Sequence, residues 1–217
     1  MARALQREGD TVIVAPGNGG TPERREVDPC NPEQVVALCR AENIDLVLIG
    51  PESALAAGVS DALREAGFKV FGPSRAAAQL ETSKSHCRAF AARHHLPSPR
   101  NATFSGPQAA TEAKAWADAQ GFPVVVKADG LASGKGVVVP ESKAERDEAI
   151  DRLCANGPIL LEERLTGPEV SLLVFSDGTA VATMPPAIRT VTLPAPVRAP
   201  GISRMKDNRT RSSKRDL

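Results

Sequence analysis

PVVVKADGLASGKG, residues 123–136, with Val137–Val139 after it, is the stretch on which the reading of this chain turns. Valines run from Val124 to Val126, so Val124–Lys127 is predicted as a buried strand. It enters a loop of small residues, and Val137–Val139 leaves the loop as a second strand. Gly130, Gly134 and Gly136 let backbone N–H groups approach an anion with no side chain in the way. Lys135 sets a cation at the loop tip, and Lys127, closing the first strand, can point at the same anion. Two lysines and a nest of amides suit a polyphosphate. The P-loop pattern G-x-x-x-x-G-K-[ST] does not fit. Gly130 to Gly134 is one residue short, and Gly136 stands where a hydroxyl would hold Mg²⁺. The β-branched continuation also excludes a helix N-terminus as the phosphate site. We read a hairpin flap over phosphates in preference to a hairpin with a surface lysine.

Downstream, Ile159–Ser171 reads ILLEERLTGPEVS. Ile159–Leu161 is predicted as a strand ending in Glu162 and Glu163, with Leu165 just beyond and Glu169 after the Gly167-Pro168 turn. A carboxylate at a strand end can accept from an exocyclic amino group, the following backbone can bond a purine edge, and Glu169 can accept from two ribose hydroxyls. Without the lysine loop before it, the same stretch would read as an acidic surface turn. Leu172–Ser176 continues as a strand into an Asp177-Gly178 hairpin turn.

Upstream, helix and strand alternate. Residues 2–8 read as a helix end, Thr11–Ala15 as a strand, 31–43 as a helix with Pro32 at its first position, and Leu46–Ile49 as a strand. Ala54–Ala66 reads as a helix and Lys69–Phe71 as a third strand. This order predicts a parallel sheet covered by helices. The strands run out into PGNGG (16–20), GPE (50–52) and GPS (72–74), and ligands bind beyond such carboxyl ends. Gly17, Asn18, Gly19 and Glu52 are therefore substrate-side candidates. Glu81–His95 is a further helical segment capped by Ser83, and Thr111–Ala119 another helix. Lys84 falls in the first turn after Ser83, where it opposes the helix macrodipole; either a ligand wants a cation there or it is a solvated surface lysine.

Composition narrows the class. The 217 residues are 41% hydrophobic and 24% charged, enough to bury a core without a metal or disulfide. No apolar run reaches a membrane span, and the start lacks the apolar core of a signal peptide. Cys30, Cys39, Cys87 and Cys154 lie far apart and read as plain thiols of a reducing, cytoplasmic compartment. His86, His94 and His95 show no metal-ligand spacing, and no metal site is assigned. Residues 188–217 carry eight Lys/Arg and two acids, net +6, which leaves −5 on the rest of a chain of net charge +1. That tail has no aromatics and no helical period, so it reads as an unstructured end and nucleic acid is not an expected partner.

With these residues in place the chain resembles the ATP-grasp ligases, through Lys84, Lys127, the flap 129–136, and Glu162-Glu163-Arg164-Leu165 with Glu169. APGNGGT (15–21), GPE (50–52), FGP (71–73), QLETSK (79–84), VVKADGLASGKGV (125–137) and MPPA (184–187) resemble one family among them, the glycinamide ribonucleotide synthetases, or phosphoribosylamine–glycine ligases. The resemblance implies an α/β fold: a partial parallel-sheet N-terminal domain over 1–75, then an incomplete ATP-grasp domain with a small α+β lid over 76–187, then the tail 188–217. It implies ATP with Mg²⁺, and glycine and 5-phosphoribosylamine as partners. The carboxylate of glycine would take a phosphoryl group from ATP, and the amine of 5-phosphoribosylamine would displace phosphate to form the amide. Lys84 and Lys127 would neutralise phosphates under the flap from Gly130 to Gly136. Glu162 with the backbone of Glu163 and Leu165 would hold adenine, Glu169 the ribose, and Pro16–Gly20 with Gly50–Glu52 the phosphoribosylamine.

Three family features are missing from this sequence: a first strand with a Gly-Gly-Arg-Glu-His motif, an Asp-His-Lys-Arg segment after MPPA, and the Glu and Asn ligands of Mg²⁺. Composition and motif change together between Ala187 and Ile188, which reads as a break, so the chain is expected to be a truncated or frame-shifted product with impaired catalysis. Other readings are a different ATP-grasp carboxylate–amine ligase, a non-catalytic nucleotide-binding protein of the superfamily, or a nucleic-acid binder acting through the tail. Resequencing the DNA is expected to reveal the missing motif in a neighbouring frame; a clean single frame with none would remove the break.

Overall fold

A computed structural model of the protein describes residues 10–21, 23–131 and 136–188. Two compact units divide the chain, 1–165 and 166–217. The predicted helix end over 2–8, Gly134 and Lys135 of the flap, and the tail from residue 189 onward lie outside the described residues.

In the first unit, α1 (Pro32–Ala41) starts where Asn31 Oδ1 accepts from the Gln34 amide at 3.1 Å. Pro32 takes the first helical position, whose N–H a helix would not use. β1 (Leu46–Leu48) and β2 (Lys69–Phe71) pair in parallel, Val47 opposite Val70, as the alternating pattern predicts. The single helix expected over 54–66 is instead two, α2 (Glu52–Ala56) and α3 (Val59–Glu65). Gly58 separates them at φ +86°, a left-handed backbone that no helix interior accommodates. Cys39, Ala54, Val59 and Leu63 close this small core against Val47 and Val70.

The strand expected over Thr11–Ala15 is likewise corrected to a single parallel bridge between Val14 and Arg24. β1 and β2 bond only to each other, and among the described residues no third strand joins them, so this β-branched run has no ladder to enter. α4 (Arg75–Thr82) and α5 (Lys84–Arg93) follow. Ser83 Oγ accepts from the His86 amide at 3.1 Å, the predicted cap, but Glu81 and Thr82 belong to the preceding helix rather than to the capped one.

The rest of this unit is a four-stranded antiparallel sheet of β3 (Asn101–Phe104), β4 (Val124–Ala128), β5 (Val137–Val138) and β6 (Ile159–Glu163), in the order β3-β6-β4-β5. Its register sorts side chains by the two-residue period of a strand. Val124, Val126 and Ala128 lie opposite Glu163, Leu161 and Ile159. This face meets α6 (Ala109–Ala119) and α7 (Lys143–Cys154), and Ala113, Val126, Ile150, Ile159 and Leu161 are wholly buried there. Alanines at 109, 113 and 117 let α6 sit close to the strands. The other face carries Val125 and Lys127, with Glu162 opposite Val125 and Leu160 opposite Lys127.

In the second unit, β7 (Val170–Ser171) pairs with β10 (Ala187–Ile188), and β8 (Val174–Ser176) with β9 (Val181–Thr183). The strand expected over Leu172–Ser176 starts only at Val174. The expected turn is present: Asp177 Oδ1 accepts from the Thr179 and Ala180 amides at 2.8 and 2.7 Å, and these bonds lower its carboxyl to about 2. The break expected at Ala187/Ile188 falls within β10. Among the described residues no helix is long and apolar enough to cross a membrane.

Leu161 is wholly buried between β3 and β4. Leu161→Ala is expected to lower unfolding stability in urea by about 2–5 kcal/mol, the usual span for emptying a core leucine site, with an unchanged m-value.

Candidate functional site

Lys127 and Glu162 are diagonal neighbours on the sheet face away from α6 and α7, two residues off register. The Lys127 ammonium bonds Glu162 Oε2. The other oxygen, Oε1, accepts from Arg88 Nε–H of α5. Glu162 is only 3% exposed, so this carboxylate sits between two cations almost out of water. Burial pushes its carboxyl up; the hydrogen bonds from Arg88 and Lys127 push it down further and leave it below the ordinary range. The Arg88 guanidinium is raised in turn, chiefly by its bond to Glu162.

A cleft of about 370 Å³ opens over this pair. Lys84, Cys87 and Arg88 reach it from one face of α5, as residues spaced by three and four do. Leu80 and Glu81 of α4, Glu52 of α2, and Gly130 and Leu131 beyond β4 complete its lining.

Asp129 sets the geometry of the cleft floor. Its Oδ1 accepts from the backbone amides of Lys84 at 2.7 Å, Ser85 at 3.2 Å and Gly130 at 2.9 Å, and its Oδ2 takes the Ser85 hydroxyl. The carboxylate therefore caps α5 from 45 residues away in sequence, where the helix dipole favours a negative charge. Burial raises the Asp129 carboxyl, and the bonds from Ser85, Gly130 and Lys84 outweigh it and hold it below the ordinary range. Gly130 turns the chain at φ +87°, and its carbonyl accepts from Lys84 Nζ at 2.9 Å. The unfavourable lysine at the start of α5 is thus matched by an acid and a carbonyl brought in from the end of β4.

Of the residues singled out in sequence, Glu52, Lys84, Lys127, Gly130 and Glu162 meet in one cleft. Gly136 is buried, and its carbonyl accepts from the Ala128 amide at 2.7 Å, closing the stem of the flap. Glu163 is held by Arg100 at 3.1 Å through both carboxylate oxygens, and its amide bonds the Arg100 carbonyl. Leu165 is exposed at the end of the first unit. Gly17, Asn18 and Gly19 do not line the cleft; Asn18 instead closes its own turn, accepting from the Gly20 amide at 3.0 Å and the Thr21 hydroxyl at 3.1 Å. Glu169 is exposed in the second unit.

Two family models match the chain. The model of the phosphoribosylglycinamide synthetase N domain matches residues 1–81, and that of the ATP-grasp (A) domain of the same synthetase matches residues 82–190. The chain belongs to the phosphoribosylglycinamide synthetase family. Phosphoribosylamine–glycine ligase of Ralstonia nicotianae is 43% identical over 183 residues, which are 80% of this chain and 43% of the relative. The trifunctional purine biosynthetic protein adenosine-3 of Gallus gallus is 42% identical over 81% of this chain and 18% of its own length. The crystal structure of phosphoribosylamine–glycine ligase from Thermotoga maritima superposes with a TM-score of 0.65 at 28% identity, covering 84% of this chain and 45% of that one. The N5-carboxyaminoimidazole synthetase of Staphylococcus aureus, solved with ADP, shares the fold at a TM-score of 0.70 and 17% identity, over 87% of this chain and 51% of that one. The chain thus spans less than half the length of the ligases it matches.

Within the phosphoribosylglycinamide synthetase framework, sequence reading assigns no individual role to Glu81, Cys87 and Arg88, which line the cleft, or to Asp129, which caps α5 beside it. Arg88 had one signal, its place one turn after Lys84. Asp129 had another, the uncompensated lysine at a helix start. All four cysteines are free thiols, Cys39 buried and the others half-buried. Among the described residues no group of three or more His, Cys, Asp or Glu side chains stands together as a ready-made metal site.

Because the folded Asp129 carboxyl is depressed, its contribution to stability is present above its unfolded value, about pH 4, and is lost as pH falls through the folded value. Asp129→Asn is expected to cost about 1.5–3 kcal/mol at pH 7, as for hydrogen bonds to a charged group. It is also expected to flatten the acid limb of the stability curve measured by urea melts between pH 3 and 7.

Proposed function

We propose that this chain carries the nucleotide site of a phosphoribosylamine–glycine ligase, the enzyme that joins glycine to 5-phosphoribosylamine at the expense of ATP. The observation that supports it is the meeting of Lys84 and Lys127, from a helix start and a strand end 43 residues apart, around one cleft beside Gly130. In this reading the two ammonium groups and Arg88 neutralise phosphate oxygens, and the amides at Gly130 and along the flap to Lys135 and Gly136 close over them. Covering the phosphates excludes water, which protects an acyl phosphate from hydrolysis. The end of β6, from Glu162 through Glu163 to Leu165, is the adenine side. Glu52, at the margin of the cleft, faces the phosphoribosylamine.

The acyl phosphate of glycine is the intermediate this chemistry calls for. The glycine carboxylate attacks the terminal phosphorus and ADP leaves; the amine then attacks the acyl carbon and phosphate leaves. Positioning and charge neutralisation dominate such a transfer, and Lys84, Arg88 and Lys127 are suited to both. Magnesium would lend further charge neutralisation when bound. Four free thiols and the purine-synthesis role suit the cytoplasm.

A thermal-shift titration with MgATP tests the site. At a nucleotide concentration 100-fold above Kd, the melting temperature is expected to rise by about 5–10 °C, from about 2.7 kcal/mol of linkage and a few degrees per kcal/mol. Lys84→Ala and Lys127→Ala should abolish the rise, and Lys143→Ala, whose ammonium pairs with Asp118 on the surface, should keep it. No rise in the unmutated protein would remove the nucleotide reading. Phosphate release that requires both glycine and phosphoribosylamine would separate the ligase from a non-catalytic nucleotide binder of the same fold.

A further inference from the structure

Glu162 and Glu163 are neighbours at the end of β6 and stand on opposite faces of the sheet. Glu163 lies opposite Val124, on the side of α6 and α7 and away from the cleft. There its carboxylate is held by Arg100, the residue just before β3. We infer that Arg100 is a positioning residue for the base end of the nucleotide: from behind the sheet it fixes the backbone from Glu163 to Leu165 that faces the purine ring. The inference deepens the nucleotide reading above and rests on it.

The grip on Glu163 is double. Arg100 donates from Nε and Nη2 to the two carboxylate oxygens at 3.1 Å each, a planar fork that fixes orientation as well as distance. In return the Glu163 amide donates to the Arg100 carbonyl at 2.8 Å. The next amide, that of Arg164, donates to the Pro123 carbonyl at 2.8 Å. Two successive peptide units at the exit of β6 are thus tied, one to the segment entering β3 and the other to the segment entering β4. Leu165 is the first residue past them.

Arg100 is itself anchored. Its Cζ sits 3.9 Å from the centroid of the Phe122 ring, close enough for the ring face to attract the cation. Phe122 meets Trp116 of α6 edge-on at 6.2 Å between centroids, and Trp116 meets Phe104 of β3 at 6.1 Å. Trp116 and Phe122 pack against the buried core of this unit. Position therefore passes from the core, through two rings, to the guanidinium and on to the end of β6. Arg100 is 66% exposed and does not line the cleft, so it acts through Glu163 and not on a ligand. An ion pair this open to water adds little to global stability, and its loss should tell in ligand geometry rather than in unfolding.

The test is isothermal titration of the full chain with ATP and ITP, which differ only along the six-position edge of the purine. The proteins compared are the unmutated chain, Arg100→Ala, Glu163→Ala and the double variant. Arg100→Ala is expected to weaken ATP about fivefold, roughly one well-aligned hydrogen bond, to leave ITP within about twofold, and to leave the urea midpoint nearly unmoved. Glu163→Ala should show the same selective loss, and the double variant should bind ATP no more weakly than Arg100→Ala. Unchanged ATP affinity in Arg100→Ala, or ATP and ITP weakened alike, overturns the inference. A further fall in the double variant also overturns it, because Glu163 would then act on the ligand itself. Should Arg100→Ala fail to fold, Arg100→Lys, which keeps the stem and the charge and loses the fork, takes its place in the same comparison. ATP that does not bind the unmutated protein would defeat the nucleotide reading itself, a failure distinct from these results.

Discussion

The carboxylate of Asp129 is the contact on which the cleft depends. It stands one residue past β4 and receives the first amides of α5, so it ties the end of a strand to the beginning of a helix. That tie brings Lys84 to Gly130 and places the next turn of α5, with Arg88, above Glu162. A helix N-terminus gathers unsatisfied N–H groups and partial positive charge, and an acid there answers both. The serine cap supplied by Ser83 does the local part of this work and Asp129 the long-range part. Only the second decides where the helix points.

The sheet then divides its labour by face. On one side, apolar residues of β3, β4 and β6 meet the alanine-lined α6 and the narrow apolar stripe of α7, and that burial supplies the cohesion. On the other, the same strands hold Lys127 and Glu162 at fixed diagonal spacing. Because the two faces share one backbone, the packing that stabilises the unit also fixes the separation of the charged groups.

Much of this was legible in the residue order. The valine run and glycine-rich loop marked β4, the flap and Lys127; β1, β2 and the Ser83 cap followed from β-branched runs and capping chemistry. What escaped has identifiable causes. β3 is only four residues, two of them polar, and is recognisable only through its pairing with β6. α7 is mostly charged, and only Ala149, Ile150 and Leu153 are buried, too thin a stripe to stand out. The break at Gly58 is hidden because nothing local distinguishes a tolerated helical glycine from a left-handed one. Thr11–Ala15 has the composition of a strand, yet a strand exists only with a partner. In the cleft, the roles of Arg88 and Asp129 are non-local, since each is defined by a residue more than 40 positions away. The expectation that Gly17–Gly19 shares the cleft of Glu52 rested on the strand-end rule, which gives a region of the fold and not a particular pocket.

The three alanines of α6 have an effect beyond holding a helix down. Ala113 has no accessible surface, and it faces the strands from the side opposite the cleft. A protein interior packed to crystal density has little slack to absorb an added methylene. Enlarging that side chain would press from behind on β3 and β6, and β6 carries Glu162 on its other face. Side-chain size at this quiet, non-polar position is therefore limited by packing against strands whose far face holds charged groups.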